Sequence, residues 1–289
     1  MSASETRIWM FHRVLPDTPT AFGRTGCYRL RGTAVTPAEL SDFLGRSTPI
    51  ALRSVLRALQ RDAPLPPGDV LTFDDGYREW LTLLPLLQGA PASFYLTTDM
   101  HADAAQAHPV DVYYWLLDNA REPRFRIELA GDHFEGSLES DAGKKALVCG
   151  GPLKRAVASG PHPEALLEQL TTALSLTIPD DLPSRLYLRR QDWGALVEAG
   201  HELGAHGTSH VHLTGLDEAA LARSLRNSAH ALNATTVAYP DGDYNDRVIN
   251  AARDAGLVAG LTCEPDALQP GSDPMRLPRH FATPKAVAA

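Results

Sequence analysis

The stretch Val70-Leu71-Thr72-Phe73-Asp74-Asp75-Gly76 limits what this chain can fold into more than any other. The run from Val70 to Phe73 reads as a buried strand that ends in two adjacent carboxylates. Gly76 then allows a sharp backbone turn where a side chain would clash. A strand that delivers two acids to its C-terminal rim belongs in an α/β sheet or barrel, because such folds keep their chemistry on that rim. Neighbouring carboxylates repel, and burying them unpaired is costly. A cation or a shared proton resolves the conflict, so the rest of the sequence is read for groups that answer this pair.

The surrounding pattern fits a mostly parallel sheet with helical crossovers. Ile8–Phe11 reads as a first strand followed by His12, and Leu15–Arg31 as a loop. Thr36-Pro37-Ala38-Glu39 has the form of a capping box at a helix start. Thr48-Pro49 reads as the opening of a second helix, and Trp80–Leu87 as a helix limited by Pro85. Ala92–Leu96 is the next expected strand. Strands are then expected at Glu202–Ala205, Thr235–Ala238 and Leu257–Leu261, and a final strand or extended segment at Leu277–Phe281. Helices are expected at Gln191–Ala199, Leu216–Leu232 and Asn245–Ala255. The region from about 100 to 190 breaks this alternation. It reads as a mostly helical insertion with a possible hairpin across Ala130-Gly131-Asp132, all within a single domain spanning 1–289.

Composition narrows the function classes. With 289 residues and 44% hydrophobic content, the chain can bury a large core without staples. A net charge of −8 argues against a general nucleic-acid binder. No window is long and apolar enough to span a bilayer, which gives the expectation of no membrane partner. No secretory signal is visible at the N-terminus, and the expected location is the cytoplasm. Cys27, Cys149 and Cys263 are odd in number and far apart, which argues against a disulfide framework. The sequence gives no oligomeric state.

His206-Gly207-Thr208-Ser209-His210 follows a short apolar strand. Two histidines four apart on one face of a helical turn can grip one metal, and Asp75 would complete a two-His, one-carboxylate set with open positions. A surface histidine pair is the simpler reading of this motif alone, since the chain has 11 histidines. Its place at a strand end, like that of the acidic motif, favours metal. Val237-Ala238-Tyr239-Pro240-Asp241-Gly242 ends another strand. By itself it is a turn; beside the other two motifs it can place a backbone N–H where an oxyanion develops. Tyr239, Pro240 and Trp115 are the candidate substrate contacts. Trp115 belongs to a Tyr113-Tyr114-Trp115 cluster that would serve either as a sugar platform or as ordinary packing.

Together these motifs resemble the NodB-type polysaccharide deacetylases, carbohydrate esterase family 4. The resemblance rests on Thr72–Gly76, on His206–His210 with the preceding Ala199–Ala205, and on Ala238–Gly242. Phe11-His12-Arg13-Val14 and Leu277-Pro278-Arg279 add to it. The likeness is nearest to the circularly permuted exopolysaccharide deacetylase branch. It implies a distorted (β/α) barrel. It implies that Asp75, His206 and His210 hold one divalent metal, most often Zn2+, with Co2+, Ni2+, Mn2+ or Fe2+ as alternatives. Asp74 would be the base acting on a metal-bound water, the N–H of Asp241 an oxyanion donor and His12 the acid, with His280 as the alternative acid. His201 is expected to be structural and His212 a peripheral substrate contact.

Three positions depart from the family pattern. Gly207 replaces a hydroxyl residue. Ala238 replaces an arginine that orients the base, for which Arg279 is the candidate substitute. Asp241 replaces a tyrosine, and its charge would favour a cationic or small substrate. The implied reaction is removal of an N-acetyl group from an amino sugar or glycan. The alternatives are a deformylase or other amide hydrolase on a small sugar conjugate, or a non-catalytic glycan-binding relative.

Overall fold

The computed structural model describes residues 5–16, 26–102 and 105–288. Seven parallel strands form its frame: β1 (Thr6–Phe11), β2 (Gly68–Asp75), β3 (Ala92–Leu96), β4 (Glu202–Ala205), β5 (Thr236–Ala238), β6 (Ala259–Leu261) and β7 (His280–Phe281). Their order across the sheet is β6-β5-β4-β3-β2-β1-β7. The apolar runs become strands because both faces are covered. Phe11, Phe73 and Phe94 share one register level, and their rings stack at 5.0 and 4.9 Å. This ladder meets Phe43 and Trp80 of the flanking helices. Ile8, Val70 and Tyr95 form a separate core with Ala238, Ala259 and Leu277.

The sheet nearly closes on itself. Leu277 donates its N–H to Gly260 (2.8 Å) and accepts from Thr262 (2.9 Å) at the β6 edge. Three residues later His280 pairs with Trp9 of β1. The segment 277–281 therefore joins the two edges and forms the seam of a distorted barrel, the expected fold class.

Residues 109–186 pack against one flank. They comprise the helix Pro109–Asn119, the hairpin Arg124–Leu129 with Asp132–Ser137, and the helices Asp141–Val148, Pro152–Ser159, Pro163–Ala173 and Leu182–Leu186. Their buried side chains share a continuous core with Phe73, Trp80 and Phe94.

Thr36 and Glu39 make the reciprocal capping-box bonds at the start of Pro37–Arg46. Elsewhere the local expectations shift. Gly26–Arg31 is a helix within the expected loop; residues 17–25 of that loop lie outside the described residues. The second helix begins only at Leu52. Thr48 and Ile50 are bonded to Asp69 beside β2, so Thr48 cannot cap. The expected helix Trp80–Leu87 is regular only through Leu83, because Pro85 lacks the N–H that would continue it. Among the described residues no helix is long and apolar enough to cross a membrane.

Candidate active site

The C-terminal ends of β1, β2, β4 and β5 converge on one rim. Asp74 is 2% exposed and meets Arg279 through two parallel contacts, Nη1 to Oδ1 at 2.8 Å and Nη2 to Oδ2 at 2.7 Å. Arg279 is fully buried. It also donates to the Thr262 carbonyl (2.8 Å) and to Thr72 Oγ1 (3.2 Å). Thr72 in turn donates to the Trp9 carbonyl at 2.7 Å. Burial alone would raise the Asp74 pKa; the Arg279 guanidinium outweighs it and holds the carboxyl below its usual range. Arg279 thus reaches Asp74 from the seam.

Asp75 leaves the strand with a φ of +86° and Gly76 follows at +93°. A non-glycine residue in that region is strained. The kink turns the Asp75 carboxylate toward two histidines: Oδ1 lies 3.4 Å from His206 Nε2 and 3.3 Å from His210 Nε2. A Cβ at Gly76 would lie 2.2 Å from the His101 ring, so position 76 has no room for a side chain. His206 Nδ1 is 2.7 Å from the Ala238 carbonyl. A carbonyl only accepts, so Nδ1 carries the proton and Nε2 is left as a lone-pair donor.

His206 and His210 do not lie on a helix. The loop between them turns with Gly207 at φ +69° and His210 at +53°, so the expected helical turn is replaced by a left-handed one. The ligand atoms of Asp75, His206 and His210 lie within 4.8 Å of one another. Asp75 Oδ1 is buried and lacks a hydrogen-bond donor. Two imidazole nitrogens and one orphaned carboxylate oxygen converging on one point suit a divalent cation.

His12 lies in the same cleft, its ring stacked on Phe281 at 5.5 Å and 5°. Burial lowers its pKa, against the opposing pull of Asp75 and Asp74. His280 packs beside Trp9 at 5.7 Å instead and does not line the cleft, because β7 alternates and sends Phe281 there. Asp241 follows Pro240 with a φ of +53°. Its carboxylate contacts His212 Nε2 at 3.3 Å.

The three expected substrate contacts are placed differently. Tyr239 is fully buried, with its hydroxyl on the Met275 carbonyl (3.0 Å). Its ring fills the space beside Gly260 where a Cβ would sit, which makes it a core residue. Pro240 is buried behind the turn. Trp115 packs against the insertion core and does not line the cleft; a helix that buries Tyr113 and Tyr114 turns the next residue away. His201 is buried against Phe94, away from the cleft.

The insertion supplies the opposite wall. The cleft, about 290 Å³, is lined there by His108, Asp111, Tyr114 and Lys154. Asp111 is buried and accepts hydroxyl bonds from Tyr28 (2.7 Å), Tyr77 (3.1 Å) and Tyr187. Beneath it Arg13 lies between the Tyr28 and Tyr77 rings, 4.4 and 4.3 Å from their centroids. Its Nε and Nη2 donate to Glu79 at 2.7 and 2.9 Å. Sequence reading missed this cluster. The signal for it was an aspartate embedded in the apolar run Val110-Asp111-Val112-Tyr113-Tyr114, where an acid needs partners.

In its fold, this curled parallel barrel is similar to solved deacetylases. The polysaccharide deacetylase family model matches residues 183–260. That segment contains His206, His210 and Asp241, while Asp74 and Asp75 lie outside it. No curated protein matches the chain in sequence. Among solved structures, the chain resembles IcaB from Ammonifex degensii with a TM-score of 0.60 and 15% identity, covering 99% of this chain and 94% of that one. It resembles the Streptococcus pyogenes deacetylase PplD in complex with acetate at 0.59 and 15%, covering 98% and 94%. The BpsB deacetylase domain from Bordetella bronchiseptica gives 0.55 and 17%, covering 97% and 96%. These likenesses bear out the fold that the motifs implied.

Proposed function

We propose that this protein is a metal-dependent hydrolase that removes an N-acetyl group from an amino sugar or glycan. One observation carries the reading: the orphaned Asp75 Oδ1 converges with two histidine nitrogens beside an Asp74 held by Arg279. Asp75, His206 and His210 would hold the cation, with zinc the first choice for two nitrogens and one oxygen. When bound, it would polarise the acetyl carbonyl and acidify a neighbouring water.

Asp74 stays ionised under the Arg279 guanidinium and takes the proton of the attacking water. The N–H of Asp241 donates to the carbonyl oxygen as negative charge gathers there. His12, on the Phe281 side of the cleft, gives a proton to the departing amine. Because burial lowers the His12 pKa below 6.5, the protonated ring is lost as pH rises through the acid range, and this step is the one most sensitive to that rise.

The test is acetate release from a panel of N-acetylated substrates, from monosaccharides and sugar nucleotides to chitin oligomers and β-1,6-linked glucosamine polymers. Each is assayed with chelator and after zinc, cobalt or nickel is restored. Metal-dependent release is expected. Asp74→Asn should lose roughly 10²–10⁴-fold in turnover while binding metal normally, and His206→Ala should lose the metal. Full turnover in Asp74→Asn would refute the base assignment.

A further inference from the structure

Each carboxylate that lines the cleft has a protein partner or, for Asp75, a place in the metal set; two cations have neither among the described residues. Asp74 is clamped by Arg279, Asp75 faces its histidines, Asp111 takes three hydroxyls and Asp241 contacts His212. Arg31 ends the helix Gly26–Arg31, and Lys154 lies in the helix Pro152–Ser159. Both line the cleft, yet neither forms an ion pair with a carboxylate among the described residues. A solvated surface cation would be unremarkable in a chain of net charge −8. Lys154, however, is half-buried, and burial lowers its pKa, with Arg31 close enough to lower it further against the pull of Asp241. Arg31 is exposed, so the cleft presents one half-buried and one solvated cation, and an anion that bridged them would relieve their mutual repulsion.

Resting on the hydrolase reading, we infer that Arg31 and Lys154 form a subsite for an anionic substituent, carboxylate or phosphate, on the sugar presented to the Asp75–His206–His210 centre. The substrate class is therefore an acidic N-acetylated sugar or sugar phosphate rather than a neutral polymer. The fork of Arg31 suits a two-oxygen group, and the Lys154 ammonium adds a point charge. Asp241, whose carboxylate contacts His212, lies in the same cleft, while Arg31 and Lys154 form no ion pair among the described residues.

Titration calorimetry on the metal-loaded protein tests the subsite with three deacetylated sugars, which offer no acetyl group to remove: glucosamine, glucosamine 1-phosphate and muramic acid. At least one anionic sugar should bind about tenfold or more tightly than glucosamine, and the tighter of the two identifies the anion. The preference should collapse in Lys154→Met/Arg31→Gln and persist in Lys154→Arg, with thermal melting showing that each variant is folded. Equal affinities for all three sugars, or a preference that survives in the double variant, would overturn the subsite. Acetate release from the N-acetylated counterparts reads the hydrolase assignment separately. Release without anion preference defeats the subsite alone; anion preference without release from any substrate defeats the hydrolase reading alone.

Discussion

At the scale of single residues, the site depends on charges that are buried only because each has a fixed partner. Arg279→Met would leave Asp74 buried and unpaired, which costs about 3–5 kcal/mol; a lowered melting temperature is expected. Adding Asp74→Asn to Arg279→Met should recover part of that loss, because the stranded charge is gone. His201 makes the opposite case. Both of its ring nitrogens are buried without partners, and burial lowers its pKa from 6.5. As pH falls through 6.5, the unfolded chain takes up a proton before the folded one, so stability at this residue is complete above that value and is lost below it. His201→Leu should flatten the fall in melting temperature between pH 7.5 and about 5. An unchanged acid slope in that variant would mean that the ring finds a partner in solution.

At the scale of elements, the kink after β2 determines where Asp75 points. Gly76→Ala combines a φ of +93° with a clash against His101. It should lower both thermal stability and zinc affinity, read by competition with a chromogenic chelator. Much of this element logic was legible in the sequence. The strand ending in Asp74-Asp75, the capping box at Thr36 and the adjacency of the acidic and histidine motifs follow from local patterns. The pairing of Arg279 with Asp74 came instead from the family resemblance, in which Ala238 stands where an arginine is usual. What stayed hidden depends on tertiary contact. Gly26–Arg31 is helical because Cys27 and Tyr28 bury against the insertion, where Asp118 accepts from the Cys27 N–H and Asp111 from the Tyr28 hydroxyl. Tyr239 and Trp115 looked like sugar contacts because aromatic residues beside a motif carry no sign of which way they face.

At the scale of the whole molecule, Asp111 ties three parts together. Tyr28 comes from the first helix, Tyr77 from the rim of β2 and Tyr187 from the return into the barrel. Asp111→Ala would strip a buried acceptor from three hydroxyls, at about 1–3 kcal/mol for each one left unsatisfied. Hydrogen exchange should then rise across 109–186 before it rises in β1 to β3. Uniform exchange throughout would show that barrel and insertion unfold as one unit. The seam has its own consequence. Open sheets expose rows of unpaired amides that can recruit strands from other chains. Here the terminal strands β6 and β7 are three and two residues long, and Leu277 occupies the free side of β6. Arg279 is threaded through that junction, with its backbone N–H on the Glu264 carbonyl and its side chain on Asp74. The residue that holds Asp74 ionised is thus also a bolt against strand-to-strand aggregation, and losing it would expose the chain to self-association as well as strand a buried charge.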